Sequence, residues 1–122
     1  VIDSRYRDFK LDVKSVIAAN TSAARFVVGG RAVDARRVDL TTCGLVLEKN
    51  GVPVALGAGA AVLGHPAAAV AMLVNHLGRR GQSLPAGSLV LSGGATEAVS
   101  VQPGDHVSLR VQGMGSVSLR FV

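Results

Sequence analysis

Apolar and polar positions follow two periods along the 122 residues, one near 3.6 and one near 2, and the switches between them mark the expected elements. Val1-Ile2-Asp3 reads as the end of a strand entered from upstream, running into polar Ser4 to Asp8. Leu11, Val13, Val16 and Ile17 share one face of a short helix, which Asn20-Thr21-Ser22 closes. Arg25 to Val28 reads as a short strand ended by Gly29-Gly30, and an irregular charged stretch follows around Asp34 to Asp39. Two apolar runs, Cys43 to Glu48 and Val52 to Leu56, flank Lys49-Asn50-Gly51. Asn-Gly at that place predicts a hairpin, because both residues tolerate the positive φ that a tight turn between twisted strands needs. Gly57-Ala58-Gly59-Ala60-Ala61 is too small-sided for ordinary packing and predicts a close approach of backbones.

His65-Pro66 opens the longest predicted helix, since proline at the first helical position gives up no hydrogen bond. Ala67, Val70, Leu73, Val74 and Leu77 form its expected buried stripe. Gly78 or Gly81 ends it, with Arg79 and Arg80 at the negative end of the helix dipole. Pro85-Ala86-Gly87 is a turn into a strand over Ser88 to Leu91, which Ser92-Gly93-Gly94 interrupts. Pro103-Gly104-Asp105 turns into a strand over Val107 to Val111. Gly113-Met114-Gly115 closes the last hairpin, whose second strand runs to Val122 and alternates Val117, Leu119 and Phe121 on one face. The sum is an α+β fold, mostly β, with one long and one short helix. By size, residues 1–122 are a single domain with room for a core.

Composition adds limits. Nearly half the residues are apolar, but Ala and Val supply most of them, Trp is missing, and the aromatics are Tyr6, Phe9, Phe26 and Phe121. The lone Cys43 excludes an internal disulfide and fits a cytoplasmic protein. No apolar run is expected to reach the roughly 18 residues of a membrane span, and the start carries no secretory pattern. A first residue that is Val, inside a strand, leads us to expect a preceding segment. The net charge of +5 comes from 13 basic residues scattered among acidic ones. Without clustering or aromatic stacking platforms, that charge favours solvated surface or anion steering over nucleic-acid binding.

The residues that carry chemistry are few. A hard divalent cation wants several carboxylates, yet the two glutamates, Glu48 and Glu97, are far apart and form no Glu-x-Glu pair. His65, His76 and His106 have no ligand spacing and fit helix-opening or surface roles. Cys43 begins an apolar strand, where a buried, inert thiol is expected. Ser22 and Ser92 sit at element ends, either as caps and turn residues or as hydroxyls facing a ligand. Ser92-Gly93-Gly94 is either a glycine bulge in a sheet or a loop whose N–H groups point at an anion.

Taken in order and spacing, Val1-Ile2-Asp3-Ser4-Arg5, Ala19-Asn20-Thr21-Ser22, the stretch from Gly57 to Pro66, Leu91-Ser92-Gly93-Gly94, Pro103-Gly104-Asp105 and the stretch from Gly115 to Phe121 resemble one family. The chain is similar to the 4-oxalocrotonate decarboxylase and 2-hydroxypenta-2,4-dienoate hydratase group of the fumarylacetoacetate hydrolase superfamily. The likeness covers essentially the whole chain, but only about the second half of a typical member. It implies a mixed β-sheet roll, of which residues 1–122 are the C-terminal segment of the catalytic domain, with the N-terminal part absent. The loop Ser92-Gly93-Gly94-Ala95-Thr96-Glu97 leans towards the decarboxylase branch, with the hydratase branch as the alternative; a short, non-catalytic paralogue that binds a family enzyme is another.

The resemblance implies a carbon–carbon lyase of aromatic catabolism that uses Mg²⁺ or Mn²⁺. The metal ligands and the catalytic lysine are expected upstream of Val1, so that the isolated chain is expected to hold no metal and to be inactive. It assigns substrate contact to Ser22 and to Ser92, Gly93 and Gly94, with Asn20 shaping the turn. Gly94 departs from the threonine of many superfamily members. Family members form large homo-oligomers, and a hydratase partner is a further expectation.

Overall fold

The computed structural model describes residues 1–7 and 10–122; Asp8, the last of the expected polar stretch, lies outside the described residues, as does Phe9. Two hairpins build the sheet. The first joins β1 (Gly44–Lys49) to β2 (Val52–Ala58), and Asn50 and Gly51 turn the corner with φ of 53° and 82°. Both values are positive, as a tight turn between right-twisted strands requires. The second joins β3 (His106–Val111) to β4 (Gly115–Arg120) through a turn containing Gly113 at φ 75°. The strands lie in the order β2-β1-β3-β4, and these three pairings are antiparallel. Pro53, which has no N–H to give, sits on the edge strand β2, and the register slips there between Leu47 and Glu48.

Alternation along the ladder sets one apolar face. Leu47 stands opposite Leu109, which stands opposite Val117; Lys49 stands opposite Val107, which stands opposite Leu119. These side chains are half-buried. Among the described residues, the buried apolar residues are Ala19, Cys43 and Val62, and no large side chain is fully buried.

Two expected strands do not form. Arg25 to Val28 and Ser88 to Leu91 have no ladder. The start of the chain instead makes a single antiparallel bridge, Ile2 to Ala23, with the Ala24 and Arg25 amides donating to the Val1 carbonyl. Ser88 follows the expected turn, its amide bonded to the Pro85 carbonyl at 3.2 Å. Beyond it, no strand among the described residues takes up the backbone of 88–91, and hydrophobicity alone does not make a ladder.

Helix α1 (Val13–Ala18) is capped by Asp12, whose carboxylate accepts from the Ser15 N–H. Its expected face is split, since Leu11 and Val16 are half-buried while Val13 and Ile17 are exposed. Helix α2 (Pro66–Gly78) is capped by the His65 ring, whose Nδ1 accepts from the Ala67 N–H at 3.0 Å. No residue of its expected buried stripe is buried: Val70, Leu73 and Leu77 are half-buried, and Ala67 and Val74 are exposed. Gly81 at φ 68° ends it, with the Gln82 amide returning to the Leu77 carbonyl.

Against expectation, Gly59–Gly78 is long and apolar enough by composition for a membrane span, with 20 residues and a mean hydropathy of 1.4. It is not one straight helix. A 3₁₀ turn (Gly59–Ala61) is separated from α2 by residues with non-helical backbone, and the 13 residues of α2 reach only about 20 Å at 1.5 Å per residue.

The glycines in the small-sided stretch permit two close approaches. A Cβ on Gly59 would overlap the Leu40 carbonyl and stand 3.3 Å from Cys43 Sγ, and one on Gly57 would overlap the Ala95 carbonyl. Gly57 thereby lets the 95–96 backbone lie against β2, which carries the segment after Gly94 over the sheet.

Candidate functional site

The apolar face of the sheet opens into a cavity of about 420 Å³. Leu47, Val107, Leu109, Val117, Leu119 and Phe121 form its floor, Ile2 and Val27 one side, and Gly94 with Thr96 to Val99 another. Two charged residues reach the lining, Lys49 and Glu97. Both were set aside in the sequence, Lys49 as a turn residue and Glu97 as a loop glutamate. The period of two along β1 carries the signal for Lys49, because Leu45, Leu47 and Lys49 share a face.

Lys49 is held by neighbours. Its Nζ donates to the Ser100 carbonyl at 3.1 Å and lies 3.8 Å from the Asp105 carboxylate. Asp105, a buried residue in the turn before β3, also accepts from Asn50 Nδ2 at 2.7 Å and from the Gln102 N–H at 2.9 Å. The Asn50 hydrogen bond first, then the Gln102 amide, with help from Lys49, holds this carboxyl below its ordinary range. Asn50 Oδ1 accepts in turn from the His106 N–H, so the first hairpin turn is tied to the start of β3.

Ser22 lies in the turn beyond α1. Its residue is 5% exposed, its amide donates to the Ala19 carbonyl, and its own carbonyl accepts from the Asp3 amide at 2.8 Å. No buried side-chain polar atom among the described residues lacks a partner. Asn20, Thr21 and Ser22 all have positive φ, of 51°, 54° and 56°. Left-handed backbone costs an L residue roughly 1–2 kcal/mol, and three in succession without a glycine concentrate strain at this turn.

Of the residues singled out in the sequence, Gly94 lines the cavity directly. Ser92 is half-buried, and Gly93, at φ 122°, abuts Val62. Asn20 and Ser22 do not line the cavity; the Ile2 to Ala23 bridge sets their turn beside Ile2 at its edge. Cys43 is buried with its thiol against the Leu40 carbonyl. Among the described residues, no three His, Cys, Asp or Glu side chains come together as metal ligands.

A hairpin-built antiparallel sheet with an open cavity on one face and a strained, serine-bearing turn at its edge makes this an α+β domain with a ligand-sized pocket. All of residues 1–122 match the fumarylacetoacetate (FAA) hydrolase C-terminal family model, and the chain belongs to that family. It is 57% identical over 122 residues to 4-oxalocrotonate decarboxylase of Pseudomonas putida, covering 100% of this chain and 46% of that one. Identity is 39% over 121 residues to 2-hydroxyhexa-2,4-dienoate hydratase of Comamonas testosteroni, across 99% of this chain and 46% of the relative. Among solved structures, 4-oxalocrotonate decarboxylase from P. putida G7 complexed with magnesium and adipate superposes with a TM-score of 0.94 at 57% identity, over 99% of this chain and 46% of that chain. The chain therefore spans about half the length of the relatives it matches.

Proposed function

We propose that the chain forms the C-terminal part of a 4-oxalocrotonate decarboxylase, a carbon–carbon lyase that releases CO₂ from a 2-oxo dicarboxylic acid. One observation carries this reading: identity to the decarboxylase is 57%, against 38–39% for the hydratases. A cavity with an apolar floor and polar edges suits a short dicarboxylate, and adipate, bound in the similar structure, is one. The chain's own share of the chemistry is binding and orientation. Ser22, in the turn beside Ile2 at the cavity's edge, would offer its hydroxyl to a polar end of the substrate, Asn20 would shape that turn, and Gly94 borders another side, with Ser92 and Gly93 leading into it. The apolar floor keeps water from the hydrocarbon part.

The similar structures hold magnesium or calcium. Mg²⁺ or Mn²⁺ in the working enzyme would be ligated by residues outside these 122. Self-association, and pairing with a hydratase, belong to the same reading and are supported by exposed apolar residues such as Leu56 and Met72. A cytoplasmic location accords with the single, buried Cys43.

The test is a fusion of the chain to the N-terminal half of the P. putida decarboxylase, assayed with Mg²⁺. CO₂ release from 2-oxo-3-hexenedioate is expected. Hydration of 2-hydroxypenta-2,4-dienoate without CO₂ release would reassign the chain to the hydratase branch. Neither activity, with the parent enzyme active alongside, would leave a non-catalytic paralogue.

A further inference from the structure

We propose that Arg5 is a positioning residue, holding the Asn20–Ser22 turn in its left-handed form so that the Ser22 hydroxyl meets the substrate. The inference rests on the reading of Ser22 given under the proposed function. Its basis is the way two segments are tied. Arg5 Nη1 donates to the Ala19 carbonyl at 2.7 Å in a partly buried hydrogen bond. That same carbonyl accepts the Ser22 amide at 3.0 Å, so both of its lone-pair directions are engaged where the turn begins. Where the turn ends, the Asp3 amide holds the Ser22 carbonyl. The segment 3–5 thus grips the turn at both ends, once by backbone and once by the Arg5 guanidinium.

The turn needs such a grip. Its three residues all carry positive φ, and Thr21 is β-branched, the kind of side chain least tolerant of that region. Its internal bonds, Ser22 amide to Ala19 carbonyl, Ala23 amide to Asn20 carbonyl and Thr21 hydroxyl to Asn20 carbonyl, are short-range. The Arg5 side chain reaches residue 19 from outside the turn. A guanidinium suits the task, being always charged and donating from a planar, rigid group; a lysine would supply charge without that geometry.

The experiment is a double-mutant cycle in the fused enzyme described above, with kcat and KM measured separately. Arg5→Ala and Ser22→Ala are each expected to lower kcat/KM about tenfold, the size of one lost hydrogen bond, and the double variant to fall no further. Adding Thr21→Gly to Arg5→Ala should recover activity several-fold, because glycine takes positive φ without strain. Millimolar guanidinium should partly restore Arg5→Ala and leave Ser22→Ala unchanged. Losses that multiply in the double variant, or an Arg5→Ala enzyme of full activity, would overturn the proposal. If Arg5→Ala does not fold, Arg5→Lys is taken through the same cycle with the same criterion. Hydrogen exchange of the peptide covering residues 19–25 separates this idea from the functional reading. If the unmodified fusion has no activity, the functional reading fails, and exchange alone decides on Arg5. Faster exchange in 19–25 with β1 and β2 unchanged supports its role, and unchanged exchange sinks it.

Discussion

Strand β2 and the segment 88–91 are similar in sequence and differ in structure. Both are short, apolar and followed by glycines, and burial does not separate them, since Leu56 is 73% and Leu91 69% exposed. One is a seven-residue strand paired with β1 apart from one irregularity; the other has no ladder. The difference lies in what stands beside each. Asn50-Gly51 returns β2 along β1 within two residues, so its pairing is local and its loop closure inexpensive. Segment 88–91 follows a turn at Pro85 to Ser88, and among the described residues no strand pairs with it. In this chain, turn chemistry decides which apolar runs become sheet.

Several measurements would break or sharpen that contrast. The largest effect is expected at Gly59, where an added Cβ runs into the Leu40 carbonyl beside Cys43. Gly59→Ala should destabilise the chain by about 3 kcal/mol in urea unfolding, the upper range for overpacking a rigid site. A near-neutral result would mean that the end of β2 is not anchored as described. Gly51→Ala places a Cβ on a residue at φ 82° and should cost about 1 kcal/mol, weakening the β1–β2 corner specifically.

Acid should act on the same corner more gently. Hydrogen bonds hold three carboxyls below their ordinary range: Asp105 through Asn50, Asp39 through Thr42, and Asp12 through Ser15. For a depressed pKa the stabilisation is complete above the unfolded value, about 3.9, and is lost as pH falls through the folded values. The unfolding midpoint should therefore stay level from pH 7 to 5 and drop below about pH 4. Asn50→Ala should flatten part of that drop, and an unchanged acid profile in this variant would contradict the assigned cause. The smallest effect belongs to the unpaired region, where Leu91→Ser should change stability by less than about 0.5 kcal/mol. A larger loss would reveal a packing partner for 88–91.

Much of the fold was legible in advance for the reason the comparison shows. The Asn-Gly corner, the His65-Pro66 helix start and the alternation of Val117 and Leu119 are local signals, and each appears where expected, although β4 ends at Arg120, short of the expected Val122. The site was less legible. Ser22 and Gly94 were singled out by resemblance, whereas Lys49 and Glu97 were passed over because their shared cavity joins β1 to a segment about fifty residues later. The left-handed run at Asn20 to Ser22 had no sequence signal, since none of the three is glycine.

By itself, the order of amino acids determined the hairpins, the helix start and the small-sided approach at Gly57 and Gly59, because each depends on side-chain size or permitted φ within a few residues. Tertiary structure alone decided that Ser88 to Leu91 has no ladder among the described residues, that the α2 stripe remains half-open, and that residues 3–5 clamp the Ser22 turn. Those outcomes depend on which surfaces and hydrogen-bonding groups are brought alongside one another, and no local pattern in the chain encodes that.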